Sequence, residues 1–253
     1  LNIVAAYDAD LVKSPTNSGF SMGHNELIRR FPADYVLVLN PDTILRADFL
    51  AQLVAALEKH PEAASATGKL LRMDGRTFDS TGIVMLRNQR HLDRGADQPD
   101  LGQFDRGGEV FGPSGAAALY RMSALEDVAI EGQFFDEDFF ASHEDVDLSY
   151  RARLRGYRCR YVADAVVRHH GSSTLGKVSR FAVFQGQRNL EWVFTKNTPG
   201  PLLVRTLPGH VLYDVAAAVH FARIGLFATL VPFAESLGRS FEADAGEGLI
   251  GRV

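Results

Sequence analysis

Apolar positions in this chain follow two spacings. Tyr35-Val-Leu-Val-Leu39 is a short unbroken apolar run, the pattern of a strand buried on both faces as in a parallel sheet. Asn40-Pro41-Asp42-Thr43 breaks the run with turn chemistry. Phe49, Leu50, Leu53, Val54 and Leu57 then recur at helical spacing, and Pro61 stops the pattern. The result is a strand–turn–helix unit. Ligands of open α/β sheets bind just beyond the carboxyl ends of such strands, which is where Asp42 stands.

Further strands are predicted near 64–71, 82–86, 116–120 and 161–167, the last closing on His169-His170-Gly171. A helix is predicted from about Gly23 to Arg30, opened by the glycine-punctuated segment Asn17–Asn25. Another starts near Ser142, with Val146, Tyr150, Leu154 and Tyr157 recurring at helical spacing and Gly156 as its stop. The polar, glycine-rich stretch 88–108 reads as a long mobile loop, of a length that is often functional.

Beyond Lys196 the pattern changes. Asn197-Thr-Pro-Gly-Pro201 is a linker signal, and Leu202–Leu237 reads as mostly apolar helix interrupted by Asp214 and Arg223. Its longest uncharged run is well short of the ~18 residues that span a bilayer. The expected division is therefore an α/β domain over 1–196 and a C-terminal helical extension over 197–253. The extension can lie in a membrane interface as an amphipathic helix, or pack on the core or on a second copy.

Composition narrows the partners. A chain of 253 residues fits one large α/β domain or two small ones. The net charge of −4 lacks the basic footprint of nucleic-acid binding. A phosphate-bearing ligand remains compatible, because a bound divalent cation can supply positive charge. Cys159 is the only cysteine, so an intrachain disulfide and a Cys-rich zinc site are both excluded. It reads as a small buried hydrophobe on a strand and fits a reducing compartment. No signal-peptide pattern opens the chain.

Several residues can carry chemistry. Asp42, a carboxylate in a tight turn at a strand end, can ligate a hard cation, or the turn can be only a turn. Glu144, Asp145 and Asp147 crowd a helix start, where the helix dipole favours acids and Ser142 with Asp145 has capping-box spacing. Alternatively, Asp145 faces a cleft as a general base and Glu144 orients the acceptor. His169 and His170 close a strand, and histidine is a common metal ligand. Ser114-Gly115 either brings backbone close to a ligand or simply turns. Arg188 can clamp a phosphate or remain a solvated charge.

Taken in order, Asn17–Asn25, Leu39-Asn-Pro-Asp-Thr43, Pro113-Ser-Gly-Ala116, Phe139-Phe140, Glu144-Asp-Val-Asp-Leu148, Arg151, Gly156-Tyr157, His169 and Arg188-Asn189 resemble the family-2 glycosyltransferases, especially their bacterial rhamnosyltransferase-like group. The resemblance covers roughly 14–208. It implies a GT-A fold: a three-layer α/β/α sandwich on a mixed, mostly parallel sheet. It implies Mg²⁺ or Mn²⁺ held by Asp42 and His169, with Asn40 in place of the motif's first acid, and Asp145 as the base. Asn17, Gly19, Phe20, Gly23 and Asn25 would shape the nucleotide side, Ser114 and Gly115 the sugar or acceptor side.

The implied partners are a nucleotide diphospho-sugar donor and a saccharide or lipid-linked acceptor, met in the cytoplasm or peripherally at the inner membrane face, with self-association compatible. Nothing before Ser14 matches the family's opening strand, so the chain reads as N-terminally incomplete. A nucleotidyltransferase would need a glycine-rich basic loop near the start, and a non-catalytic binding module would have no use for Asp145.

Overall fold

The computed structural model describes residues 7–171 and 180–223. Helix α1 (Gly19–Arg30) leads into β1 (Tyr35–Leu39), β2 (Thr43–Leu45), α2 (Phe49–Lys59) and β3 (Ala63–Arg72). Four short strands follow: β4 (Phe78–Ser80), β5 (Ile83–Met85), β6 (His91–Asp93) and β7 (Gly108–Val110). Then come β8 (Ala117–Arg121), α3 (Met122–Asp127), a 3-10 turn (Glu137–Phe139), α4 (Glu144–Leu154) and β9 (Arg158–His169). Helices α5 (Arg180–Asn197) and α6 (Gly200–Arg223) close the described chain. The predicted strands all form, and α1 starts four residues earlier than its apolar pattern suggests because its first turn docks on Phe140.

The main sheet has the order β1-β8-β3-β9-β2, with β4 on β3 and β7 on β9. It is mixed, as expected, but it is not mostly parallel. Among described pairs only β3 and β9 run parallel, and the rest are antiparallel. Strand β8 runs against both β1 and β3, so those two share a direction without touching. The apolar run of β1 does not mark a strand buried on both faces: among the described residues β1 is an edge strand, mostly half-buried, and its one partner, β8, runs antiparallel.

Alternate residues of β1 and β8 face opposite layers. Leu37, Leu39, Ala117 and Leu119 meet Phe49, Leu53 and Leu57 of α2. Val38, Ala118 and Tyr120 meet Ile28, Leu125, Phe135 and Leu148 on the other side. This period-two division makes the three layers. Cys159 is buried on β9, where burial pushes its thiol up to about 12, so it behaves as a small hydrophobe.

The stretch 88–108 is not a free loop. It contains β6, paired to β5 as a hairpin, and Lys69 ties its later part through Asp100 at 3.1 Å and Asp105 at 2.5 Å. Its Arg90 is buried and pairs with Glu191 of α5 at 2.9 Å and with Asp214 of α6. His210 of α6 stacks on Phe194 at 3.6 Å and reaches Glu191 at 2.8 Å. Glu191, His210 and Asp214 bring ligand atoms within 4.8 Å of one another, and the Arg90 guanidinium already supplies the cation there. Helix α6 is long and apolar enough by length and composition to cross a membrane, with mean hydropathy 1.2 over its best window. That exceeds the expectation from its uncharged runs. The rest of the predicted helix, 224–237, lies outside the described residues.

Gly68 sits where β3 shifts register against β9. A Cβ there would lie 2.2 Å from the Ala165 carbonyl and 2.6 Å from the Phe49 ring. Gly68→Ala should destabilise the fold by at least ~2 kcal/mol, because backbone cannot move aside cheaply. Urea unfolding would check this.

Candidate active site

Strand pairing brings distant residues to one end of the sheet. Leu39 is opposite Ala117, and the Asn40 N–H donates to Ala116 O at 2.9 Å. Thr43 is opposite His169, and the His170 N–H donates to Asp42 O at 3.0 Å. The turn itself is closed by Thr43 Oγ1 donating to Asn40 O at 2.7 Å. Asn40–Asp42 therefore leaves one edge of the sheet and arrives at the other, beside both the Ser114–Gly115 turn and His169.

His169 is buried, while His170 is exposed. The Nε2 of His169 lies 3.3 Å from Asp42 Oδ1 and its Nδ1 lies 2.7 Å from Asp79 Oδ2. Asn40 Nδ2 is 3.4 Å from the same Nε2. Burial opposes charge on the imidazole, but the hydrogen bond and charge of Asp79, with the charge of Asp42, raise its pKa overall. Asp79 is itself held by Arg72 at 2.7 Å. A carboxylate on Nδ1 that turns Nε2 toward a second carboxylate is the support that metal-bound histidines usually have. Two ligands at about 2.1 Å and a right angle are roughly 3.0 Å apart, so Asp42 and His169 fit adjacent positions on one cation. No sequence signal pointed to Asp79, whose partner lies ninety residues away.

The acids of α4 separate into roles. Asp147 is structural, bound by Arg151 Nε at 2.9 Å and Asn197 Nδ2 at 2.8 Å. Asp145 accepts the Gly115 N–H at 2.7 Å on Oδ2 and the Val146 N–H at 2.8 Å on Oδ1. Burial raises its carboxyl, and those amides partly offset the rise. Glu144 is buried with Oε2 unpartnered, and burial, then the charge of Asp145, pushes it up to about 8. At neutral pH Glu144 therefore keeps its proton, while the two amide donors on Asp145 favour its charged form.

The capping box expected at Ser142 does not form. The N-cap is His143, with no side-chain cap bond. Phe140, Ser142 and His143 all have left-handed backbone, at φ 59°, 73° and 71°, a conformation that costs about 1–3 kcal/mol per residue outside glycine. Buried Asn189 holds this turn by donating to the carbonyls of Phe139, Ala141 and Ser142 at 2.9, 2.9 and 2.6 Å. Of the pair Arg188-Asn189, it is Asn189 that holds the turn leading into Asp145. Arg188 lies over Trp192 at 4.2 Å and donates to Asp138 O at 3.1 Å, which leaves its guanidinium largely engaged.

The N-terminal group also has packing duties. Asn25 is buried and clasps Phe135 through both its N–H and its carbonyl. Phe20 packs edge-on against Phe135, with centroids 5.7 Å apart. Gly19 allows close contact, since a Cβ there would lie 2.5 Å from Phe140 O. Asn17 accepts the Gly19 N–H at 3.0 Å, and Gly23 lies mid-helix in α1. Of these contacts, the first turn of α1 reaches the turn before α4 directly, through the Phe20 N–H to Phe140 O. Ser114 is half-buried at the rim beside Gly115. Ser172–Thr174, beside His170 in sequence, lie outside the described residues.

Residues 35–228 match the family described as Glycosyl transferase family group 2. The chain is 32% identical over 161 residues to the N-acetylglucosaminyl-diphospho-decaprenol L-rhamnosyltransferase of Mycobacterium tuberculosis (strain CDC 1551 / Oshkosh), covering 57% of this chain and 49% of that protein. The same figures hold for that enzyme in strain ATCC 25618 / H37Rv. The chain thus spans about half the length of the curated relatives it matches.

Among solved structures, GalNAc-T7 with UDP, GalNAc and Mn²⁺ superposes with TM-score 0.51 at 12% identity over 71% of this chain and 35% of that one. The mannosyltransferase PcManGT from Pyrobaculum calidifontis, in complex with GDP-Man and Mn²⁺, gives 0.50 at 16% identity over 93% and 63%. These likenesses show the GT-A fold.

Two outcomes are expected. Asp79→Asn should weaken divalent-cation binding 10–100-fold by freeing the His169 ring, as read by Mn²⁺ titration calorimetry. Glu144→Gln mimics the protonated acid. Between its ordinary value near 4.5 and about 8, the folded state holds a proton that the unfolded chain releases, so wild-type stability falls as pH rises through that interval. The melting temperature of Glu144→Gln relative to wild type should therefore climb from pH 5 to pH 9.

Proposed function

We propose that this chain, which belongs to Glycosyl transferase family group 2, is an inverting glycosyltransferase that moves a sugar from a nucleotide diphospho-sugar to a hydroxyl of a lipid-linked saccharide. The observation that carries the reading is the convergence of one amide-bound carboxylate, Asp145, with the Asp42–His169 pair at the same end of the sheet. Asp145 takes the proton of the acceptor hydroxyl while that oxygen bonds to the anomeric carbon. The anomeric C–O bond to phosphate breaks on the opposite face, and a nucleoside diphosphate leaves. The N–H groups of Gly115 and Val146 orient the base without neutralising it. Asp42 and His169 would hold Mg²⁺ or Mn²⁺, which supplies positive charge to the leaving diphosphate.

Rhamnose as the sugar and a polyprenyl-diphosphate amino sugar as the acceptor are supported by the relative named above. An amphipathic acceptor favours a membrane-facing surface, and α6 offers one: Val204 and Leu212 are each 71% exposed. In this reading α6 lies in the inner-face interface and the catalytic cleft opens to the cytoplasm.

Incubated with Mn²⁺, an N-acetylglucosaminyl-diphospho-lipid and dTDP-, UDP- or GDP-sugars, the full chain should release nucleoside diphosphate and form an inverted linkage visible by NMR. Product from no donor would overturn the reading. Asp145→Asn should lower kcat by at least ~10² while leaving nucleotide binding in place. In flotation with anionic liposomes, Val204→Asp combined with Leu212→Asp should abolish co-flotation that the wild type shows.

A further inference from the structure

Helix α6 is held to the body by little apolar packing. Of its described residues only Thr206 and His210 are buried, while Val204, Val211, Leu212 and Val215 are exposed. Four side chains from three elements fasten it instead. Glu191 of α5 takes the Arg90 guanidinium on Oε1 at 2.9 Å and His210 Nε2 on Oε2 at 2.8 Å. Asp214 of α6 takes Arg90 on Oδ1 and faces the same Nε2 with Oδ2 at 3.9 Å. Each carboxylate thus spends one oxygen on the arginine and turns the other to the histidine. Phe194 stacks on His210 at 3.6 Å, and the Tyr213 ring lies 4.5 Å from the guanidinium. The other nitrogens of the group, Arg90 Nε and Nη1 and His210 Nδ1, are buried without a partner. Pairing with the two carboxylates therefore carries the polar attachment of α6.

Charge does not balance in this quartet. With a neutral imidazole, the carboxylates of Glu191 and Asp214 stand against the single guanidinium of Arg90, which leaves one negative charge. An uncompensated charge in a buried cluster weakens the contacts around it. One added proton, on the imidazole or on Asp214, brings the sum to zero. Two further rings feel the charge of Arg90: His91 of β6 and His143 of α4, which meet edge-on at 4.7 Å. Burial pushes them down to about 2 and about 4, so neither adds a positive charge at neutral pH. Burial, then the charge of Glu191, pushes the Asp214 carboxyl up to about 6, against the lowering charges of Arg90 and His210.

We propose that the quartet is a proton-operated latch on the tail: uptake of one proton balances it and fastens α6 to α5 and the β5–β6 hairpin, and loss of that proton loosens α6. The latch lies outside the cleft and needs no transfer chemistry, yet it is joined to the helix of Asp145. Gln89, beside Arg90, accepts the Tyr150 hydroxyl of α4 at 2.7 Å, and Ile83 of the same hairpin packs with Val146 and Tyr150. The direction follows from the raised carboxyl. The docked state holds a proton that a released tail gives up between the ordinary value of 3.8 and about 6. Docking is therefore strongest on the acid side and weakens as pH rises through that interval.

Hydrogen exchange of the full chain, read by mass spectrometry with exposure times scaled to the intrinsic rate at each pH, tests the latch. Protection of 203–216, relative to peptides of β3, should fall roughly tenfold between pH 5 and pH 7.5. Asp214→Asn and Glu191→Gln each remove one negative charge and balance the quartet without a proton, so in both the fall should stay under about twofold. Wild-type protection of α6 that does not change with pH, or a fall of wild-type size in both variants, would overturn the proposal. A matching fall in β3 would overturn it as well, because the whole fold and not the tail would then be responding. Should circular dichroism show both variants unfolded, the wild-type series for α6 against β3 still decides. No transfer activity enters the readout, so failure of the transferase reading leaves this test intact.

Discussion

Strand β8 runs in reverse between β1 and β3, and the geometry of the site depends on that insertion. A parallel neighbour would place its own carboxyl end beside Leu39. The antiparallel strand instead places its beginning there, so the Ser114–Gly115 turn stands against the Asn40–Asp42 turn. Gly115 then links that turn to α4 through its N–H to the Asp145 carboxylate. Glycine suits that position by space: a Cβ would sit 3.1 Å from the Asp145 carboxylate, which would have to shift by a few tenths of an ångström. Sheet topology, turn chemistry and the position of Asp145 are one connected arrangement.

The site is stabilised against its own charges by structure outside it. Burial of Glu144 and Asp145 together is tolerated because one of them keeps its proton and the other accepts two amides. The left-handed turn before them is strained, and Asn189 from α5 and the start of α1 at Phe140 both hold it. The residues that match the family at either end of the chain thus act largely through this turn. On the other side of the cleft, Arg72 and Asp79 do the corresponding work for His169.

Much of this was legible in the residues. The apolar run of β1, the helical spacing of α2 and the ordered appearance of Asp42, Asp145 and His169 located the fold and three of the groups at its open end. What could not be read depends on pairings distant in sequence. The reversed β8 has the same composition as a parallel strand would, so the sheet was expected to be mostly parallel. Asp79 is an ordinary acid in a short strand until β4 pairs with β3. The stretch 88–108 looked free because its polar residues are those of a loop, yet they are spent on Lys69, Glu191 and Asp214. Ser142 had the right spacing for a cap and the wrong backbone for it.

Arg90 also bears on how such chains can be recombined. Its guanidinium belongs to the hairpin that carries His91, while its two counter-charges belong to α5 and α6. The Pro-Gly-Pro sequence near residue 200 invites a cut, and a tail from another relative grafted there would keep Glu191 but remove Asp214 and His210, leaving the buried Arg90 with one of its two counter-charges. Hairpin, α5 and α6 therefore need to be exchanged together to keep those contacts. Diversification of the hairpin packed on α4 and diversification of where the tail resides are not independent in this protein, because both have to keep the same arginine satisfied.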